Sequence, residues 1–397
     1  MNKNVKQYMG SLMLSVVATA VTSGTLAVML NDIIQSYSLK GVEEGLMSSL
    51  VSAGALTALL GTIILQGRVR KTQWIIGGGL LMSLMLMVKG APVPFGMFLT
   101  ACFAMGLGLG VTDSCQSAFL EDLTPSGSAK YMGALHGVFG IGSFLTPTIL
   151  HRLLGILPWR SVYILQGAFC LLLILQFAWM TVTLGRTIPV TAYREQKFDR
   201  QNSKRFFKNK YFLLLLCSLF FGAAGQSGII VWTLRYVSVY LGSPAIATAS
   251  LSLFWVTSTL SRFAAPHLPL SPSRILACGA FISAAAWGAA IGISTPLSVC
   301  LACCLAGLAS GACIPISLHE GATICPGNTG FPTSVLMIVK TVAQATAPLA
   351  VAYAMSLWGM RNAMFVTAVC FALNGTAAFA MGDRQANCKK RMGLFHP

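Results

Sequence analysis

Gly106–Asp122 reads GLGLGVTDSCQSAFLED. Three glycines alternate with leucines, and Asp113 follows with no other acid until Glu121. Back to Val93 the chain is apolar, so the stretch reads as one long hydrophobic helix with a carboxylate in its inner half. A lone carboxylate in hydrocarbon costs at least ~2.5–3.5 kcal/mol. A residue kept despite that cost is a candidate for function.

The chain around it is of the same character. Its 397 residues are 55% hydrophobic and only 9% charged, with mean hydropathy +0.73. Soluble domains carry roughly 25% charged residues, so the class is a polytopic membrane protein. The net charge of +17 would suggest nucleic acid in a soluble protein. Here most basic residues fall in alternate loops, which membrane topology explains and nucleic-acid binding does not. The 12 cysteines are scattered through apolar segments. Cys300, Cys303 and Cys304 lack a second CxxC pair and a matching histidine, so they read as buried thiols and not as metal ligands. No cofactor is expected.

Twelve apolar segments of spanning length can be drawn, with cores at 9–31, 45–66, 73–89, 93–118, 131–151, 161–184, 211–233, 246–264, 275–294, 297–318, 332–356 and 362–382. The first could pass for a signal peptide, but it is too long for an h-region and its loss would spoil the repeat described next. It is retained as a helix. Lys/Arg placement puts both termini in the cytoplasm, leaving Lys40, Lys89, Arg152, Arg160, Arg235 and Arg361 on the outer side. Residues 185–210 form a basic cytoplasmic linker between two six-helix halves, 1–184 and 211–397. The halves repeat. Gly106 and Gly307, Pro147 and Pro348, and Arg160 and Arg361 are each 201 residues apart, Trp159 and Trp358 are 199 apart, and Arg68 and Arg262 are 194 apart. Two parallel six-helix repeats are an architecture of secondary transporters, with the solute site near the midplane. The expected fold is therefore an all-α membrane protein with twelve transmembrane helices in two pseudo-symmetric halves.

Several stretches resemble the major facilitator superfamily. Gly61-TIILQGRVRK is similar to its G-x-x-x-D-R-x-G-R-R loop between helices 2 and 3, with Leu65 and Gln66 in place of the acid and base. WVTSTLSRF (255–263) resembles the matching end of helix 8, with Arg262 kept. Within the superfamily, GLGLGVTD (106–113), LNDII (30–34), ALHGVFGIGSFLTP (134–147) and FFGAAGQSGIIVW (220–232) resemble the fucose–proton symporter branch. That branch has Asn four residues after the helix 4 acid, where this chain has Ser117. The resemblance implies gating roles for Gly61, Arg68 and Arg262.

Asp113 is the leading proton-coupling candidate, because its repeat mate is Ile314 and the fold therefore demands no acid there. Asp32 joins it by resemblance to helix 1 of the branch; by position alone it is a helix-end residue, facing the cavity mouth only if the helix is longer or tilted. His136 lies in a glycine-rich helix and could contact solute or proton. Lys340 is close to mid-helix, too deep to snorkel, and calls for a carboxylate partner, Asp113 or Asp32, or an anionic solute group. Gln116, Gln226, Trp232 and Trp255 complete a polar–aromatic lining suited to sugar rings. His319 and Glu320 are expected to face the cytosol at a helix end. The glycine-rich runs read as close helix packing.

The expected function is alternating-access secondary transport by a monomer in the lipid bilayer, with proton-coupled uptake of a small polar solute such as a sugar. A proton-antiport exporter of drugs or metabolites shares the fold and is the alternative. A non-transporting membrane sensor is the second. No nucleophile–base pair or metal-ligand cluster suggests an enzyme.

Overall fold

A computed structural model describes residues 3–39, 42–124, 129–188, 207–324 and 329–382. Residues 189–206, the body of the expected linker, lie outside the described residues. The first six helices are α1 (Lys3–Tyr37), α2 (Val42–Ile64), α3 (Lys71–Gly90), α4 (Phe95–Leu123), α5 (Ala129–Leu154) and α6 (Trp159–Thr183). They are followed by α7 (Lys210–Arg235), α8 (Pro244–Ala264), α9 (Pro272–Ile293), α10a (Pro296–Ser310), α10b (Cys313–Thr323), α11 (Gly330–Ala363) and α12 (Phe365–Met381). With α10a and α10b as one broken span, 10 of these are long and apolar enough to cross a membrane. The remaining two are α8, whose apolarity is diluted by Thr257, Ser258, Thr259, Ser261 and Arg262, and α12, which has 17 residues.

Proline and glycine set the ends. Pro244, Pro272 and Pro296 each occupy a first helical position, where a missing N–H costs nothing. Gly359, at φ 76°, interrupts α11 near its end, where the sequence places the change from one span to the next.

The chain forms two compact units. The first comprises Met1–Phe198 and Cys325–Ile338, and the second Asp199–Ile324 and Val339–Pro397. In the first, α2 and α3 pack on α4, and α3 and α1 pack on α6. In the second, α8 and α9 pack on α10a, and α9 and α7 pack on α12. The two lists are the same under duplication, and the likeness extends to single atoms. A Cβ on Gly106 would overlap the carbonyl of Val51, and one on Gly307 that of Phe254. A Cβ on Gly110 would lie 2.6 Å from Ala55 O, and one on Gly311 2.6 Å from Ser258 O. Gly108 lies against Gly78 as Ala309 lies against Gly279. The GLGLG run thus brings α2 in against its first and third glycines and α3 against its second, so close that only backbone fits.

The duplicated arginines also share a task. Arg160 donates to Ala91 O, just past the end of α3, and Arg361 donates to Gly292 O at 2.5 Å and Ile291 O at 3.1 Å, at the end of α9. Each satisfies carbonyls that a helix C-terminus leaves without partners. Arg68 and Arg262 do not correspond in this way. Arg68 is exposed, four residues beyond α2 and after Gly67 at φ 73°, whereas Arg262 is inside α8 and 5% exposed. Their separation of 194 residues, unlike the shared 201, does not join equivalent positions.

Candidate functional site

In the first unit the site is built on one turn of α4. Asp113 is half-buried between the buried Thr112 and Ser114. One turn on, Gln116 reaches α1: its Nε2 donates to Ser15 Oγ at 2.9 Å, and its Oε1 accepts from Thr19 Oγ1 at 3.2 Å. Ser117 reaches the other way, its hydroxyl 3.4 Å from His136 Nε2 on α5 and donating to Asp113 O at 3.1 Å. His136 is 5% exposed. The helix bearing Asp113 is thereby fixed to α1 and α5 by buried polar contacts on either side of the carboxylate. The serine standing where the symporter branch has Asn holds the histidine.

Asp32 lies well inside α1, which runs on to Tyr37 and so is longer than the expected core of 9–31. It is half-buried and forms no ion pair among the described residues. Gly61 lies in α2 with no atom within 4 Å of where a Cβ would stand.

A second polar cluster, which the sequence did not reveal, closes the far end of this unit. Lys71 Nζ, at the start of α3, lies 2.5 Å from Asp122 Oδ2, at the end of α4, and 2.6 Å from Thr329 Oγ1. The Thr329 hydroxyl is 2.9 Å from Asp122 Oδ1 and 3.1 Å from Ala118 O, so its one proton serves either acceptor. Thr329 immediately precedes α11. Further into that helix, Ser334 Oγ meets Thr62 Oγ1 at 3.0 Å and Ser114 Oγ at 3.1 Å. Lysine and carboxylate are 10% and 8% exposed. Removing one partner of a buried pair costs about 3–5 kcal/mol, whereas replacing both by apolar groups is often neutral. Asp122→Ala is therefore expected to lower the melting temperature sharply, and Lys71→Met with Asp122→Leu to restore most of it, as read by thermal unfolding of the purified protein.

In the second unit the feature is a break. The repeat mate of continuous α4 is interrupted at Gly311 and Ala312. The carbonyls freed there are met by side chains: Gln226 Nε2 donates to Ser310 O at 2.7 Å, and Arg262 Nε to Gly311 O at 3.3 Å. Pro348 inside α11 creates a second irregularity, because it has no N–H for the carbonyl of Gln344. Ser227 Oγ donates to Gln344 O at 3.1 Å, and Trp232 Nε1 to Pro348 O at 3.2 Å. One helix, α7, thus braces both irregular helices with Gln226, Ser227 and Trp232. Trp232→Phe keeps the ring and loses the donor, so a loss of about 1 kcal/mol in unfolding free energy is expected.

Lys340 is half-buried, ten residues past Gly330 and about 15 Å along α11. Trp255 is half-buried against Phe254, with ring centroids 6.0 Å apart. One expectation is corrected. Glu320 does not lie at a solvated helix end: it is 7% exposed and accepts from the Tyr211 hydroxyl at 2.6 Å, while α10b continues to Thr323. Lys89, the last residue of the expected segment 73–89, is the last charge of α3 and has no exposed surface.

These features are those of a multi-pass membrane protein made of two like units. The chain belongs to the Major Facilitator Superfamily, whose family model matches residues 12–271. It is 25% identical over 232 residues to the multidrug resistance protein MdtL of Shewanella oneidensis, a match covering 55% of this chain and 55% of that protein. The chain thus aligns with little more than half the length of that relative. In fold it is similar to FucP, a Major Facilitator Superfamily transporter seen in the outward conformation, with TM-score 0.78, 15% identity, and 96% of this chain and 100% of that chain covered. FucP is the fucose:proton symporter of E. coli. It is also similar to the human organic anion transporter MFSD10, with TM-score 0.73, 16% identity, and 95% and 100% covered.

Proposed function

We propose that this transporter is a proton-coupled carrier of a small polar solute, such as a sugar or sugar derivative, working by alternating access. One observation carries the reading. α4 and α10 are duplicates down to their backbone contacts, yet Asp113 stands where the duplicate has Ile314. Packing explains the glycines of that helix and does not explain the carboxylate. Asp113 is the proton carrier, with Asp32 nearer the end of α1 as a second acid. His136, held by Ser117, and Lys340 are the solute-contacting groups, and Lys340 either tunes Asp113 or binds an anionic solute. Gln116, Gln226, Trp232 and Trp255 line the path, the first three shaping it through the bonds described above. Gly61, Arg68 and Arg262 serve gating, Arg262 by holding the break in α10. Both termini face the cytoplasm of a cell membrane, as the basic loops direct, and the working unit is a monomer.

The likeness in fold to a sugar:proton symporter supports this reading, as do the charged and polar groups just named. Export of drugs or metabolites by proton antiport is the second reading, favoured by the curated relative named as a multidrug resistance protein. The experiment that separates them screens sugars, organic acids and hydrophobic cations for thermal stabilisation of the purified protein. Stabilisation by polar solutes upholds the first reading, and a shift with hydrophobic cations alone reverses the order.

A further inference from the structure

Where α11 and α12 line a cavity of the second unit, each side chain is smaller than its counterpart 201 residues earlier. Thr346 stands for Leu145, Ala350 for Ile149, Thr367 for Gln166 and Cys370 for Phe169, and the other lining positions of these two helices follow the same rule. Pro147 and Pro348 fix the register of α11. On α12, a Cβ on Gly288 would lie 3.8 Å from Ala368 Cβ, as one on Gly167 would meet Met87, and both members of that contact are 201 residues apart. The third wall is α7, with Ala224 and the edge-to-face rings of Phe220 and Phe221, whose centroids are 5.3 Å apart. The space so left is about 540 Å³, its mouth included, within the ~300–1,000 Å³ range of small-ligand sites.

Its chemistry is that of hydrocarbon. None of the described residues lining it is charged. Thr346 spends its hydroxyl on Val342 O at 2.8 Å. In the first unit Gln166 Nε2 donates to Val21 O on α1 at 3.0 Å. Its shorter counterpart Thr367 is 1% exposed, and its hydroxyl has no partner among the described residues. Water needs several polar partners to occupy such a space, whereas apolar ligands enter it dry. The hydroxyls of a sugar would go unmatched here. The cavity opens at α11, where Thr346 and Ala350 are exposed. These two lie one turn apart, on a face about 120° from that of Lys340 and Gln344. Tyr353 and Val369, each one turn beyond a lining residue, are 69% and 55% exposed. Since α7 and α11 are apolar enough to span a membrane, the mouth is continuous with surface that bilayer hydrocarbon covers. Along α11 the lining runs over five residues, about 8 Å, which is narrower than a partner helix of about 10–12 Å.

We infer that this cavity is a lipid site, taking an acyl chain of a bilayer phospholipid between α11 and α12 and against Phe220 and Phe221 of α7. The first unit carries in its own side chains the bulk that the second unit takes from the lipid. Left empty, the lining would lose its van der Waals contacts on one side. Pro348 stands amid the lining residues of α11. The chain therefore supports that helix where proline has removed a hydrogen bond.

The test places the full chain in nanodiscs of phosphatidylcholine doped with an analogue that carries a photoreactive diazirine at the end of one acyl chain. After illumination, adducts are located by peptide mass spectrometry. Peptides covering 346–351 and 366–370 are expected to carry several-fold more adduct than those covering Leu172 and Leu175, which are 66% and 47% exposed on α6. Ala350→Ile with Cys370→Phe restores the side chains of the duplicate. This double variant is expected to fold and to bring the adducts at the cavity down to the α6 level. Should it not fold, Ala350→Val and Cys370→Leu, taken singly, are each expected to lower them in part. No enrichment in the wild type overturns the inference. That is also the result if a second copy of the chain or a hydrophobic solute holds the site and excludes the probe. Enrichment that persists undiminished in a folded filled variant overturns it equally.

Discussion

Asp113→Asn is expected to abolish accumulation of solute driven by a pH gradient while leaving the protein folded and able to exchange solute down its own gradient. Asparagine has the shape of the acid and keeps an acceptor and a donor. It cannot take a proton on one side of the membrane and give it up on the other. The neighbours that position this turn of α4 are held through other atoms, Gln116 to Ser15 and Thr19, and Ser117 to the main-chain oxygen of Asp113, so they survive the change. Burying an amide is also less costly than burying an ionised carboxylate. A melting temperature equal to or above wild type, together with no accumulation above the outside concentration under a pH gradient while downhill exchange persists, is the expected pair of results.

Gly106→Leu is expected to be the most damaging single substitution for folding. Any Cβ at Gly106 would overlap Val51 O, and Gly54 presents the reciprocal contact, where a Cβ would overlap Phe103 O. The obstacle on each side is main chain, which cannot rotate out of the way. Overpacking a core typically costs 1–3 kcal/mol, and prising two helices apart along a shared seam exceeds that. Gly61→Ala is the control, since nothing lies within 4 Å of its Cβ position. Alanine there gains helix propensity, worth up to about 1 kcal/mol. Folded yield by fluorescence-detected size exclusion is expected to collapse for Gly106→Leu and for its duplicate Gly307→Leu, and to hold for Gly61→Ala.

The spans were readable because hydrocarbon imposes them. A helix must be apolar for some twenty residues, and proline and glycine mark where it stops. The duplication was readable for the same reason, through landmarks that each half needs, and the shared task of Arg160 and Arg361 gives one of them a physical basis. The break in α10 has a local signal in Pro315, which has no N–H for the carbonyl of Gly311, but the side chains that meet the carbonyls there were not readable. Carbonyls are the same in every residue, so the sequence could not tell that Gln226 and Arg262 have partners at Ser310 and Gly311. The Lys71–Asp122–Thr329 cluster joins residues up to 258 apart in the chain, and no local pattern links them. Lys89 read as a charge at the outer end of its span, one residue from the end of α3. Only the rings of Phe98 and Tyr163, folded over it from α4 and α6, show that it is enclosed.

The central claim is that solute and proton move together. The direct measurement is the internal pH of proteoliposomes holding the purified protein and a trapped pH dye, with solute added outside in the absence of any imposed pH gradient. Acidification of the interior that requires the solute and disappears with Asp113→Asn is the predicted result. Solute entering at full rate with the internal pH unchanged would contradict the account.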